Sequence, residues 1–199
     1  MARTIAKDYD DKRLSILLQA AEVFARDGIT RASMNDVAQH CGISKATIYH
    51  YYESKDELIF GILDDYLSEL RNRILELNLN GKNAEEQLRL VVVEFLLAYE
   101  GMDNQHKIQN EGLPLLAKYQ QNVLKGYQRE MIEVVQKILY SGFPSQFAKN
   151  KKQLKFATMS VFGMLNWFFM WNSNATRAER KRYAETVSTL TFQGVGGLK

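Results

Sequence analysis

Apolar residues recur along most of the chain at intervals of three and four positions, which is the spacing of one face of an α-helix. In residues 12–27 this face consists of Leu14, Leu17, Leu18, Ala21, Phe24 and Ala25. No segment of four or more positions between turn-forming residues alternates convincingly as a β-strand would. The pattern predicts an all-α protein of about nine helices, at residues 12–27, 33–40, 44–51, 54–80, 84–100, 105–111, 113–140, 152–173 and 177–193.

Helix-capping residues suggest how these helices are grouped. Ser54 and Thr176 each begin a capping box, in which a glutamate follows three residues later. The box at Ser54 opens a long helix, and the box at Thr176 opens the last one. A short unit of three helices precedes Ser54, and longer helices follow it. We therefore predict two domains, at residues 1–54 and 55–199.

The most specific motif is SMNDVAQHCGISKATIYHYYESK, which runs from Ser33 to Lys55. A helix-turn-helix needs a small residue where its two helices cross, and a tight turn four residues later. Ala38 and Gly42 meet these two requirements. The apolar residues that would fix the angle between the helices are Val37, Cys41, Ile43 and Ile48. The exposed side of the second helix then carries groups suited to a major groove, namely Lys45, Ala46, Thr47, Tyr49 and His50.

Over about residues 12–60, and most clearly in GITRASMNDVAQHCGISKATIYHYYESKDEL, the sequence resembles the TetR family of repressors. By position, the DNA contacts of that family would fall on Ser33, Asn35, Ser44, Lys45, Ala46, Thr47, Tyr49, His50, Tyr51 and Lys55. The resemblance assigns base reading to Asn35, Lys45, Ala46 and Thr47. It assigns phosphate contacts to Tyr49, Tyr51 and Lys55.

Charge and composition indicate the cellular compartment of the protein but do not identify a binding partner. The net charge is only +3, and residues 1–57 carry eight Lys/Arg against nine Asp/Glu, so DNA binding must depend on where the cations lie. The single cysteine, Cys41, cannot form an internal disulfide. Residues 1–13 lack the apolar core of a signal peptide. The apolar run at 156–171 is shorter than the roughly 20 residues of a membrane span. We expect a cytoplasmic protein with no membrane partner.

The C-terminal half is expected to form a dimer and to bind a ligand. One helix-turn-helix reads one half-site, so a homodimer on a double-stranded, palindromic DNA operator is expected. The helix at 152–173 is apolar nearly all round, which is typical of a helix that faces both a partner and a cavity. With the final helix, which carries Tyr183, Val187 and Leu190, it would form the interface. Candidate pocket walls are Phe95, Tyr99, Met102, Tyr119, Phe162, Trp167, Phe168 and Trp171, and candidate polar anchors are Asn110, Glu111, Asn166 and Asn172.

The stretch GMLNWFFMW, followed by the capped final helix, resembles the C-terminal domain of acyl-CoA-responsive members of the family. Those members tend to carry an arginine where this chain has Met170. The resemblance implies an acyl-CoA or another hydrophobic compound as the small-molecule effector, with multidrug and quorum sensing as alternatives. Two basic clusters could meet the CoA head group, Lys149, Lys151, Lys152 and Lys155 in one, and Arg177, Arg180, Lys181 and Arg182 in the other.

An enzyme is not expected from this sequence. It has no phosphate-cradling glycine loop and no nucleophile elbow, and its three histidines do not cluster at metal-ligand spacing. We therefore expect neither a cofactor nor a metal. A helical interaction module that binds no DNA is the remaining alternative. Such a module would have no need for an exposed face of lysine, threonine and histidine. A DNA-binding test at increasing salt would distinguish the two classes of protein, because the affinity of a protein for DNA falls steeply with salt.

Overall fold

The structure, a computed structural model, describes residues 2–172 and 174–194, and the side chains of all of these except 2–7 and 169. Within these ranges the chain forms ten α-helices, a short 3-10 helix at Leu113–Leu115, and no strand, which confirms the all-α prediction. The helices are α1 (Ala2–Asp27), α2 (Met34–His40), α3 (Lys45–Tyr51), α4 (Lys55–Leu75), α5 (Ala84–Ala98), α6 (Asp103–Gly112), α7 (Lys118–Gly142), α8 (Pro144–Phe147), α9 (Lys151–Asn172) and α10 (Arg177–Gln193).

Three helix bounds differ from the sequence prediction for identifiable reasons. The first helix begins at Ala2 rather than at residue 12. Its added turns include the exposed carboxylates Asp8, Asp10 and Asp11, which obscure the short apolar spacing that precedes them. Pro114 places Leu113–Leu115 in a 3-10 turn, so α7 starts only at Lys118. Pro144 opens the four-residue α8 within a predicted break, because proline is well tolerated at the first position of a helix. The predicted end of the ninth helix, residue 173, lies outside the described residues.

The chain divides into two compact units. The first comprises Met1–Ser68 and Asn104–Lys125, and the second comprises Glu69–Asp103 and Gly126–Lys199. The first unit thus contains most of α6 together with α1 to α3 and the larger part of α4. The predicted domain boundary at residue 54 separates a DNA-binding function from a ligand-binding function and does not describe compact units. That boundary stays a prediction.

In the first unit, α6 packs on the end of α1 and on α4. Lys107 Nζ donates a hydrogen bond to the carbonyl oxygen of Ala25 at 2.5 Å. The Nε2 atom of His106 lies 3.1 Å from the Tyr66 hydroxyl, and both side chains are buried. Burial lowers the pKa of His106 to about 4, because the charged imidazolium would lose its hydration. His106 is therefore a neutral core residue at neutral pH, and α6 is an integral part of this unit.

The core of the second unit contains α5, α9 and α10 together with buried residues of α7. Phe95 of α5 meets Phe162 of α9 edge-to-face, with ring centroids 5.4 Å apart. Phe168 of α9 stacks on Tyr183 of α10 at 4.5 Å. Where α7 ends, Gly142 leaves room for Phe192 of α10, since a Cβ there would lie 2.7 Å from the Phe192 ring. These aromatic contacts join helices that are far apart in the sequence.

Candidate DNA-binding and effector sites

The helix-turn-helix forms with the geometry that its sequence predicts. Gly42 has a positive φ of 62°, which an L side chain rarely adopts. The turn is closed by a hydrogen bond of 3.0 Å from the Ile43 amide to the Ala38 carbonyl. Ala38 and Ile48 are fully buried, whereas Cys41 is only half-buried. The angle between α2 and α3 is therefore fixed by buried apolar contacts and one tight turn.

Two serines fix where α2 and α3 begin. The Ser33 hydroxyl accepts from the Asp36 amide, and the Asp36 carboxylate accepts from both the amide and the hydroxyl of Ser33, at 2.8 and 2.7 Å. These hydrogen bonds hold the pKa of Asp36 below its usual value. At α3, the Ser44 hydroxyl accepts from the Thr47 amide at 3.0 Å and lies 2.8 Å from the Thr47 hydroxyl. Both serines, predicted as DNA contacts, thus act as helix caps in this structure.

The predicted DNA-reading residues of α2 and α3 are all at least partly open to solvent. Ile48 is the buried residue of α3, and Tyr49 beside it is exposed. The exposed positions are Asn35, Lys45, Ala46, Tyr49 and His50, and the half-buried ones are Thr47 and Tyr51. The exposed surface of α3 therefore offers a cation, small residues and hydrogen-bonding groups to a partner, which is the chemistry that base edges in a major groove require.

Lys55 has a structural role that the sequence did not indicate. Its Nζ atom donates to the carbonyl oxygens of Ala32 at 2.7 Å and Thr30 at 3.4 Å. The lysine is half-buried at the start of α4. It therefore ties the first turn of α4 to the loop that precedes α2, whereas the sequence assigned it a phosphate contact.

Tyr9 is a residue near the predicted site that the sequence interpretation missed. Its ring stacks on that of Tyr51 with centroids 4.8 Å apart and lies edge-on to His50 at 6.2 Å. The contact exists because α1 extends beyond the predicted start at residue 12. The signal that could have revealed this extension is the spacing of Ala2, Ile5, Ala6 and Tyr9, which is that of one face of a helix.

Four of the predicted effector residues come together in the second unit. Phe95 contacts both Tyr99, at 6.2 Å between centroids, and Phe162. The Tyr99 hydroxyl donates to the Asn166 side-chain oxygen at 3.3 Å. Burial raises the pKa of Tyr99, so its hydroxyl stays protonated. The result is a buried cluster of three aromatic rings, hereafter the aromatic wall, with one hydroxyl and one amide at its edge.

The remaining effector candidates lie elsewhere. Asn110 and Tyr119 belong to the first unit and are exposed, as is the neighbouring candidate Glu111. Met102 and Asn172 are half-buried, and Phe168 is buried against Tyr183. Trp167 and Trp171 are 64% and 57% exposed. The two tryptophans lie on an outward face of α9, hereafter the α9 apolar face, which consists of Phe156, Met159, Gly163, Trp167, Met170 and Trp171.

The two basic clusters differ in how available their charges are. Arg180 is 2% exposed, and its guanidinium donates to the carbonyl oxygens of Ala175 and Leu96 at 3.1 and 3.0 Å. Arg177 pairs with Glu100 at 3.0 Å. Lys181 and Arg182 of the same cluster are exposed. All members of the cluster before α9 are exposed, namely Lys149, Lys151, Lys152 and Lys155.

No helix among the described residues combines the length and the apolar character needed to cross a membrane. No group of three or more histidine, cysteine, aspartate or glutamate side chains among residues 8–168, 170–172 and 174–194 is arranged to hold a metal ion.

The all-helical fold and the exposed second helix of the motif define a helix-turn-helix DNA-binding protein, and two family models make the class specific. Residues 16–62 match the model of bacterial regulatory proteins of the tetR family, and residues 81–195 match that of the tetracyclin repressor-like C-terminal domain. The chain belongs to the TetR family. This membership confirms the resemblance seen in the sequence, and also that the chain is a transcription regulator rather than an enzyme.

Similar proteins extend the comparison over nearly the whole chain. A fatty acid metabolism regulator protein of Bacillus subtilis is 23% identical over 190 residues, covering 92% of this chain and 95% of its own. The crystal structure of a TetR-family regulator from Bordetella parapertussis has a TM-score of 0.85 and 28% identity, with coverage of 94% and 97%. AibR, solved with isovaleryl coenzyme A and operator DNA, has a TM-score of 0.76 and 20% identity, with coverage of 91% and 98%.

Proposed function

We propose that this chain is a cytoplasmic repressor that binds a palindromic operator as a homodimer and is released by a small molecule, with an acyl-CoA as the first candidate. The observation that carries the DNA-binding part is the exposed side of α3, with Lys45, Ala46 and His50 open to solvent beside the buried Ile48. A B-DNA major groove is wide enough to admit such a helix. Each chain presents one such helix, so two chains would read the two halves of a palindrome.

The α9 apolar face supports the homodimer. It presents two tryptophans and a phenylalanine, each more than half exposed in the isolated chain. A contiguous exposed apolar patch of this kind marks an interaction site on a soluble protein. Pairing with the same face of a second copy would bury it by two-fold symmetry.

Lys45→Ala is expected to weaken binding to a selected palindromic duplex by about 1–3 kcal/mol, or roughly 5- to 150-fold. A good contact between a cationic side chain and a base edge contributes about this much free energy. Discrimination at one base pair of each half-site should fall with it. Fluorescence anisotropy with the duplex and its single-base variants measures both quantities. The matched control is Lys82→Ala, an exposed lysine in the second unit, which should change affinity less than about twofold. Equal effects of the two variants would contradict base reading by Lys45.

The effector part of the proposal is supported by the aromatic wall of Phe95, Tyr99 and Phe162 and by two similar proteins. One of these is named for fatty acid metabolism, and another was solved with an acyl-CoA. An acyl tail needs an apolar wall, and its CoA head needs cations nearby, which the four exposed lysines before α9 could supply. Asn166, at the edge of the wall, offers a polar group to the thioester region.

Adding acyl-CoAs of different tail lengths to a preformed protein–DNA complex is expected to release the DNA, whereas each matching free acid should act weakly or not at all. The reason is that the phosphate-rich head contributes to binding only in the thioester. Near-complete release requires that the ligand prefer the released state by about 10⁴-fold, or about 5.5 kcal/mol. Electrophoretic mobility shift titrations measure the release. If an uncharged hydrophobe releases the DNA and no acyl-CoA does, the effector is of the multidrug type instead.

A further inference from the structure

Three partly exposed aromatic rings meet at the C-terminal end of α3. The Tyr9 ring stacks on the Tyr51 ring with the planes 27° apart and the centroids 4.8 Å apart. The His50 ring meets Tyr51 edge-on at 5.5 Å and Tyr9 edge-on at 6.2 Å. Stacked and edge-to-face pairs at these distances are the arrangements that aromatic rings prefer. Each ring of this cluster therefore restricts the orientation of the other two.

We infer that Tyr9 is a positioning residue for DNA binding, which holds Tyr51 and His50 in the orientation that α3 presents to the duplex. The inference rests on the proposed function, because Tyr51 and His50 belong to the surface assigned to DNA. It adds to that function a residue of α1, outside the helix-turn-helix motif, whose effect on affinity passes through a neighbouring side chain.

The contacts of α1 argue against a role of Tyr9 in the core. One helical turn after Tyr9, the Arg13 guanidinium lies 5.5 Å from the centre of the buried Tyr52 ring. The Tyr52 hydroxyl donates to the Arg13 carbonyl oxygen at 3.3 Å. The attachment of α1 to the interior next to α3 is thus already made at Arg13. Tyr9 itself is 40% exposed, and its ring contacts are with two side chains of the outward surface.

The charges beside Tyr9 argue against a direct phosphate contact. Asp8 and Asp10 flank it in sequence, and both are exposed. DNA phosphates would repel these carboxylates, so this turn of α1 is a poor docking point for the backbone of the duplex. If Tyr9 acts through Tyr51, its own ring need not touch the DNA, and Asp8 and Asp10 need not approach the phosphates.

Ordering the rings before binding has a measurable consequence. A side chain that must be immobilised when the complex forms reduces affinity, and one that is already ordered avoids this loss. For one or two side chains the difference corresponds to about a 3- to 10-fold change in Kd. Stacking needs the ring of Tyr9 but not its hydroxyl, so phenylalanine should replace tyrosine at this position.

The test uses the full-length protein and a palindromic duplex recovered by selection with the wild type. Affinities are measured for Tyr9→Ala, Tyr9→Phe, Tyr51→Ala and the double alanine variant. The matched control is Tyr140→Ala, a tyrosine of the second unit with a similar exposure of 45%. Thermal unfolding of each variant shows whether a loss of affinity merely follows a loss of stability.

The expected result is a 3- to 10-fold loss for Tyr9→Ala, a loss below about twofold for Tyr9→Phe and for Tyr140→Ala, and melting temperatures that match for Tyr9→Ala and Tyr140→Ala. In the Tyr51→Ala background, Tyr9→Ala should add almost nothing, because the residue through which it acts is gone. Full affinity of Tyr9→Ala overturns the inference while the proposed function stands. Additive losses, or a Tyr9→Phe loss equal to that of alanine, overturn it in favour of a direct contact. Failure of the wild type to select any duplex overturns both.

Discussion

Trp167→Glu is expected to convert a dimer into a monomer and to lower affinity for a palindromic duplex by at least about 100-fold. Trp167 is 64% exposed near the middle of the α9 apolar face, and a two-fold interface would bury it in both copies at once. A buried tryptophan removes up to about 200 Å² from water, and an uncompensated buried carboxylate adds a further penalty of several kcal/mol. A monomer then reads one half-site and loses the gain of two linked sites, about 10²- to 10⁴-fold.

Light scattering checks the oligomeric state, with a mass near twice 23.0 kDa expected for the wild type and near 23.0 kDa for the variant. The matched control is Tyr119→Glu, which places the same charge on an exposed aromatic position of the first unit. It should remain a dimer. A Trp167→Glu protein that is still dimeric at micromolar concentration would show that the α9 apolar face is not the interface.

Arg180→Ala is expected to lower the free energy of unfolding by about 3 kcal/mol. The buried guanidinium donates to the carbonyl oxygens of Leu96 and Ala175, and it lies 5.8 Å from the centre of the Phe168 ring. Hydrogen bonds from a charged donor contribute about 1.5–3 kcal/mol each, and their removal leaves buried acceptors and a cavity. Arg180 thereby joins the start of α10 to the end of α5, next to the aromatic wall assigned to the effector.

Urea unfolding at pH 7 measures this loss. Arg182→Ala, two residues later on the same helix but exposed, is the matched control and should change stability by less than about 0.5 kcal/mol. Arg180→Met should recover part of the loss, since its chain refills the space without restoring the hydrogen bonds. Equal stability of the two alanine variants would contradict the role given to Arg180, and would restore this arginine as a candidate cation for the effector.

The DNA-binding motif could be predicted from the sequence because its determinants are local. Gly42 adopts the positive φ of a turn that a hydrogen bond from Ile43 to Ala38 closes, and Ser33 and Ser44 cap helices through residues three positions later. The last helix begins where predicted for the same reason, since Thr176 opens it with a capping box. Such features depend only on residue types at fixed short spacings, so they can be predicted without knowledge of the tertiary structure.

The features that sequence could not supply depend on contacts between distant residues. The α9 pattern predicts a helix that is apolar on most sides, but it does not distinguish a cavity wall from an outward face. The sequence therefore groups Trp167 and Trp171 with Phe95, although the structure exposes both tryptophans and buries Phe95. In the same way, the sequence does not indicate that the Lys55 ammonium group binds carbonyl oxygens of a loop more than 20 residues away, while its phosphate contact stays a prediction.

Selection of bound sequences from a random duplex pool shows whether α3 of a dimer reads a palindromic operator. The measurement uses the wild-type protein, and the binding constant of the recovered duplex is then determined across a range of salt concentrations. An enriched inverted repeat is expected, and its affinity should fall steeply as salt rises, because phosphate contacts release counterions. A pool without any enriched inverted repeat, or binding that does not weaken with salt, would show that α3 does not read an operator in this way.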